Sequence, residues 1–340
     1  MNDTTQSVTP DHLLNVGFGF AAAKTLLSAV ELGLFTRLAK GPATADELTV
    51  ALELHPRSAR DFLDTLVALR VLDRDPQGRY HNTAESALYL DRARETYIGG
   101  LLEMGNARLY KFWGNLTDGL KTGQPQNELR DEPDLFDRLY ADQKLLRNFL
   151  EAMTGISRPT ARVIAEKFHW SAYGTFIDIG CAQGALPVQV AKKHPHLRGG
   201  GFDLPQVQPV YDEFISANGL SDRLRFYPGD MFKEPLPRAD VLVMGHILHD
   251  WGMQAKLALV RKAYEALPSG GALIVYDAMI DDERRHNIGG LLMSLNMLIE
   301  TREGFDYTGA DCRKWLSDAG FREIRQEPIG GPDSMVVGIK

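Results

Sequence analysis

From Asp11 to about Lys167 the apolar positions recur at helical spacing, and turn signals such as KGPAT, DPQG and TGQPQ cut the run into segments. That spacing lays one greasy stripe along a helix, so the first half is predicted to be mostly helical. Within it Thr44 is placed to cap the helix of TADELTVALEL, with Glu47 three residues on to complete a capping box. PRSARDFLDTLVALRV predicts a second helix and VLDRDPQGRYHN a small hairpin after it. Helix, turn, helix and wing make a winged-helix pattern.

After about Ser171 the rhythm changes. TFIDIG, RGGGFDL, LRFYPGD, ADVLVMG and GALIVYD read as short strands, each ending near a Gly or Asp, with helix-like segments between several of them. Such alternation predicts an α/β, doubly wound, Rossmann-like sheet whose ligands gather at the carboxyl ends of the strands. The expected organisation is a helical winged-helix-like domain over residues 1–167 and a chemical domain over residues 168–340.

Composition narrows the function. The 340 residues are 44% apolar and 24% charged, enough to bury a core, and the net charge of −7 supplies no basic stripe for nucleic acid or anionic lipid. Residues 41–80 hold five arginines against seven acids, whereas a recognition helix facing phosphates is normally basic. The winged-helix segment is therefore read as a protein contact, and the apolar surface of HLLNVGFGFAAAKTLLSAVELGLF points to a homodimer. Cys181 and Cys312 stand far apart and fit neither a disulfide framework nor a cysteine zinc site. MNDTTQSVTPDH carries no basic leader, and no later run approaches the roughly 18 apolar residues of a membrane span, so a cytoplasmic protein is expected.

FIDIGCAQGALP runs from a strand into a turn with Gly180 and Gly184, then into a helix. Many nucleotide folds share such a turn, so the acids discriminate better. Asp178 precedes the turn, Asp203 ends the next strand in GFDLP, and Asp230 ends the third in PGDMF. Three carboxylates at one crevice repel a pyrophosphate but suit a nucleoside with hydroxyls, a sulfonium and an ammonium. S-adenosylmethionine is such a ligand, with S-adenosylhomocysteine as its demethylated product.

Taken in order, DIGCAQG, GFDLP, GDMF, HDW and the terminal DAGF resemble the small-molecule O-methyltransferases, typified by plant caffeate and isoflavone enzymes and by bacterial enzymes that decorate aromatic polyketides and antibiotics. The resemblance covers nearly the whole chain, the helical half included, which it implies is a dimerisation domain and substrate lid. It implies that Gly180 approaches the methionine end of the cofactor, with Asp178, Gly184 and Gly245 around that turn. Asp203, with Leu204 beside it, would hold the ribose hydroxyls; Asp230, Met231 and Phe232 would frame the adenine. Asp203 and Asp230 can also be read as caps of their own loops, and Met231 and Phe232 as core.

MGHILHDW places His246 and His249 three residues apart. A zincin helix needs His-Glu-x-x-His, whereas Ile247 and Leu248 intervene here and no further ligand cluster is evident, so no metal is expected. A phenol, of pKa about 10, is a poor nucleophile while neutral, and an imidazole, of pKa about 6.5, can accept its proton as the new bond forms. Because the methyl donor is already activated, the protein mainly supplies alignment, desolvation and that base. The family's His-Asp-Trp base maps onto His249, next to Asp250, and His246 is read as structural. Two further carboxylates steady the imidazole in the family; they map onto Asp277 and Asp306, where glutamate is usual. Glu300 or Glu303 is the alternative to Asp306. Plant members also carry a lysine where this chain has Gly245.

NFLEAMTGIS and LLMSLNMLIE resemble acceptor-lining segments and nominate Phe149, Met153, Met293, Asn296 and Met297, with Trp113 as a further wall. A methionine and aromatic stripe is also what a core looks like; as a pocket it suits a flat, apolar acceptor. The leading expectation is a metal-independent methyltransferase acting on a phenolic or enolic hydroxyl of an aromatic secondary metabolite. Carbon or nitrogen methylation, or a cofactor-retaining enzyme of the same fold with other chemistry, is the nearest alternative. A winged-helix regulator sensing the cofactor is the alternative of another class.

Overall fold

The computed structural model describes residues 8–94, 96–128, 140 and 142–340. The first seven residues, part of the segment read as lacking a leader, lie outside the described residues. The chain packs as two compact units, Met1–Arg108 and Leu109–Lys340.

In the first unit the helix Ala45–Ala51 begins where the sequence placed it. Thr44 Oγ1 accepts from Glu47 N at 3.3 Å and Thr44 N donates to the Glu47 carboxylate at 2.7 Å, a complete capping box. The helix Ala59–Ala68 follows, then strands β1, Leu72–Arg74, and β2, Tyr80–Asn82, which pair antiparallel as the wing. Leu48, Leu63 and Leu66 are fully buried beside Leu34, Phe35 and Tyr80. Each buried leucine contributes about 2 kcal/mol and the cap about 1 kcal/mol, so packing fixes the arrangement and the cap fixes where the helix starts. The helices Asp11–Gly17 and Gly19–Glu31 leave Leu13, Leu14, Val16, Phe18 and Phe20 exposed, the apolar excess read from the sequence. Among the described residues no single helix is long and apolar enough to cross a membrane; these two pass that test only together, across a 42° bend.

In the second unit strands β3, Thr175–Ile179; β4, Arg198–Asp203; β5, Leu224–Pro228; β6, Val241–Gly245; and β7, Ala272–Asp277 form the parallel part of one sheet. All five match the strands read from the sequence. Two more, β8, Arg322–Gly330, and β9, Asp333–Ile339, complete the sheet in the order 5-4-3-6-7-9-8, with β9 antiparallel to β7 and to β8. The sequence reading stopped short of this pair.

Helices cover both faces, which is why the inner strands are apolar throughout rather than alternating. Phe176, Val241, Val243 and Ile274 point into one core, and Ile177, Ile179, Leu242, Met244 and Val275 into the other, the two-residue period of a strand. The helix Gln143–Lys167 supplies Leu146, Leu150, Ala161 and Ile164 to the first core. By packing, this helix belongs with the sheet, so the division falls before it rather than after Lys167. A helical period identifies a helix but not the core that it joins.

Candidate active site

Sheet order reverses between β3 and β6, so the crevice at their carboxyl ends is the place where an open α/β sheet receives a ligand. Gly180 leaves β3 with φ +71°, and a Cβ there would run into the side chain of Ile247, with Met231 Cε 3.8 Å away. Only a glycine fits the turn, because Ile247 fills the space that a side chain would need. Gly184, at φ +93°, starts the helix Ala185–Lys193 against the ring of Tyr211. Gln183 accepts the hydroxyl of Thr154 at 2.7 Å, tying the turn to the helix Gln143–Lys167. Gln183 and Thr154 were not nominated from the sequence, since neither lies in a charged or glycine pattern.

The acids stand at the strand ends as expected. Asp203 accepts the N–H groups of Ala182 at 2.9 Å and Leu204 at 2.8 Å, and Asp230 accepts that of Phe232 at 2.9 Å while pairing with Lys233 at 3.0 Å. Both carboxylates therefore do hold their own turns, and each oxygen keeps a second lone pair for a ligand. Burial raises Asp203 to about 6 against those two bonds, and burial with the charge of Asp203 raises Asp178 well above the usual carboxylate range. For Asp230 the upward push of burial is outweighed by the Phe232 N–H and Lys233, and its carboxyl lies below the usual range. Met231 is partly buried, while the Phe232 ring is largely exposed and packs edge-on against Trp251 at 4.5 Å. At Gly245, a Cβ would strike the Tyr276 ring. That ring occupies the space of a side chain here, which accounts for the glycine in place of the family's lysine.

His249 closes the crevice on the 3-10 turn Leu248–Asp250 after β6, and it is buried. Its Nδ1 lies 3.3 Å from Oδ1 of Asp306 and 3.8 Å from Oδ1 of Asp277; its Nε2 lies 3.6 Å from Oδ1 of Asp250. These are ion-pair contacts rather than aligned hydrogen bonds, since Nδ1, Asp277 Oδ1 and both Asp306 oxygens have no hydrogen-bond partner. Aspartates do reach the ring, and Glu303 instead packs against Gly252. Burial pulls the His249 pKa down, but Asp277, Asp250 and Asp306 outweigh it and raise it to about 10. Burial raises Asp277 to about 7, against the pull of His249 and with Asp306 adding to the rise.

Tyr307 donates its hydroxyl to Asp277 Oδ2, a buttress the sequence reading missed. His246 is less incidental than its spacing implied. It adopts φ +52°, its Nδ1 is 3.7 Å from Asp277 Oδ1, and its Nε2 is 3.6 Å from Asp333 Oδ2. Asp277 thus stands between the two imidazoles. One ring nitrogen each from His246 and His249 and a carboxylate oxygen of Asp277 fall within 4.8 Å of one another, so a third group of metal-binding type, not evident in the sequence, stands beside the two histidines.

On the acceptor side, Trp113 Nε1 donates to Asn296 Oδ1 at 3.0 Å, joining two of the nominated residues. Met297 is buried, and Met293, Asn296, Phe149 and Met153 are partly buried. Phe149 packs against the first core of the sheet.

A nucleoside bearing a sulfonium and an ammonium suits this edge. Asp178 and Asp203 are buried carboxyls held above their usual range, and a ligand bringing hydroxyl donors and positive charge stabilises their ionised forms. Residues 113–322 match the O-methyltransferase domain model, and residues 14–92 match the O-methyltransferase dimerisation domain model. The chain belongs to the O-methyltransferase family. Among its relatives is the tetracenomycin polyketide synthesis 8-O-methyl transferase TcmO of Streptomyces glaucescens, 42% identical over 97% of each chain. The N,N-dimethyltransferase OxyT of Streptomyces rimosus is 38% identical over 96% of each. Human N-acetylserotonin methyltransferase, solved in complex with S-adenosylmethionine, superposes with a TM-score of 0.90 at 27% identity, covering 100% of this chain and 99% of that one. The chain is a methyltransferase dependent on S-adenosylmethionine.

Proposed function

We propose that the protein methylates a phenolic or enolic hydroxyl of an aromatic natural product, with His249 as the general base. The observation that carries this reading is the buried imidazole at the switch-point edge. Nδ1 faces two carboxylates, and Ile247 of the same turn closes on Gly180. With Nδ1 held protonated by Asp277 and Asp306, Nε2 is the atom that takes a proton. Raised basicity matches the imidazole to a phenol, so the proton moves with little uphill cost as the acceptor oxygen forms its bond to carbon.

The bound cofactor would supply a methyl group on a positively charged sulfur. Gly180 and Gly184 would admit its methionine end beside Asp178 and Gly245. Asp203 and Leu204 would hold the ribose, and Asp230, Met231 and Phe232 the adenine. The acceptor oxygen forms the new C–O bond, the C–S bond breaks with its electrons left on sulfur, and the hydroxyl proton goes to Nε2. Asp250, beside Nε2, steadies the imidazolium that results. Trp113, Asn296, Met293, Met297, Phe149 and Met153 would wall the acceptor. The relative named for a polyketide 8-O-methyl transfer supports an aromatic acceptor. The matched dimerisation domain and the bare apolar face of the first two helices support a homodimer.

Methylation of nitrogen is the second reading, favoured by the N,N-dimethyltransferase relative. Purified protein with labelled cofactor, offered phenols, naphthols and aromatic amines, separates the two by mass spectrometry. A methyl ether is expected; exclusive transfer to nitrogen or carbon would overturn the O-methylation reading.

A further inference from the structure

Trp251 and Phe305 lie far apart in sequence, yet one ammonium binds the carbonyls of both. Lys256 is fully buried, and its Nζ donates to the carbonyl oxygen of Trp251 at 2.5 Å and to that of Phe305 at 2.9 Å. The same nitrogen sits 3.6 Å from the centroid of the Phe305 ring, within cation–π range. Trp251 follows His249 and Asp250 directly, and Phe305 directly precedes Asp306. Two glycines let these segments meet. A Cβ on Gly304 would lie 2.7 Å from the His249 carbonyl oxygen and 2.8 Å from that of Asp250, and a Cβ on Gly252 would collide with Glu303.

We propose that Lys256 is a positioning residue of the methyl transfer: it locks the loop carrying Asp306 against the turn carrying His249. The proposal rests on the reading of His249 as the general base. Asp250, Asp277 and Asp306 face the imidazole, with His246 across Asp277 and Tyr307 on the far oxygen of Asp277. Burial lowers Lys256 to about 8 while Asp277, Asp306 and Asp250 hold it up, so it is charged at neutral pH. Without its two bonds the loop carrying Asp306 and the turn carrying His249 lose their tie, and the imidazole is no longer held at one angle to its carboxylates.

The test uses the full chain with the cofactor and a phenolic acceptor that it methylates. Lys256→Met removes bonds and charge, Lys256→Gln keeps N–H donors without charge, and Lys256→Arg keeps the charge. For the first two, which lack the donors or the reach of lysine, kcat is expected to fall roughly tenfold with the acceptor KM within about threefold, and Lys256→Arg is expected to recover most of the loss. Cofactor affinity should stay within about twofold. If Lys256→Met does not fold, Lys256→Gln carries the reading. A folded neutral variant whose kcat stays within about twofold of wild type, or whose loss is not recovered in Lys256→Arg, overturns the proposal. If His249→Ala leaves turnover unchanged, the general-base reading itself falls, and the proposed role of Lys256 with it.

Discussion

Oδ1 of Asp306 lies 3.3 Å from Nδ1 of His249, and both side chains are shut away from water. Two helices and the strand β7 separate them in the chain. Their meeting turns Nδ1 of the imidazole toward Asp306 and Asp277 and leaves Nε2 on the side of Asp250.

Replacing that imidazole tests the base directly. His249→Ala should lower kcat by roughly 10²–10⁴-fold, the usual worth of a general base, with cofactor affinity little changed. Turnover and calorimetric binding check the two halves, and unaltered turnover would remove the assignment.

The surrounding acids set the pH dependence. Because the His249 pKa is raised from 6.5 to about 10, the base is free only as pH climbs, so kcat/KM should rise through the neutral range and level off in the alkaline. Stability runs the other way. A folded-state pKa above the unfolded value contributes stability that is complete below about 6.5 and lost as pH rises through about 10. Activity and thermal midpoint measured on one buffer series should therefore diverge, and an acid limb near 6.5 would show that the carboxylates do not act on the base.

Gly245 is held by the Tyr276 ring. Gly245→Ala should cost about 1–3 kcal/mol, the range for overpacking a full core, read as a lower midpoint in urea with an unchanged slope. Tyr276→Phe leaves the collision in place and gives no relief, whereas Tyr276→Ala should restore tolerance of the added methyl.

His246, His249 and Asp277 are spaced as a metal set would be, so catalysis needs a chelator control. Exhaustive dialysis against EDTA should leave turnover unchanged, because the base and its acids suffice for the proton transfer. Loss of activity that zinc or magnesium restores would reassign the cluster as a metal centre.

Much of this was legible beforehand. Thr44 and Glu47 are a local device three residues apart, and their capping box formed as read. β3, β6 and β7 are largely apolar runs bounded by turn residues, a signal that survives because both faces of the sheet are covered, while β4 and β5 were read from the Gly and Asp that end them. β8 was missed because it is an edge strand with a largely exposed, polar sequence, which carries little of that signal; β9, apolar and buried, does carry it and was left unread. Asp203, Asp230, His249, Asp277 and Asp306 were nominated from motifs, and the fold brings the last three together.

By itself the sequence determined what local chemistry encodes: where helices and strands begin, which faces are apolar, and which acids and histidines end strands. Only the tertiary structure decided which of those groups touch. His246 reads as bystander to His249 along the chain, yet Asp277 from another strand stands between them, and Tyr307 and Lys256 support the cluster without any motif to announce them. Contacts of that kind depend on strand order and on the absence of side chains at Gly245, Gly252 and Gly304. Close approach between distant segments is a property of packed backbones and leaves no periodic trace in the chain.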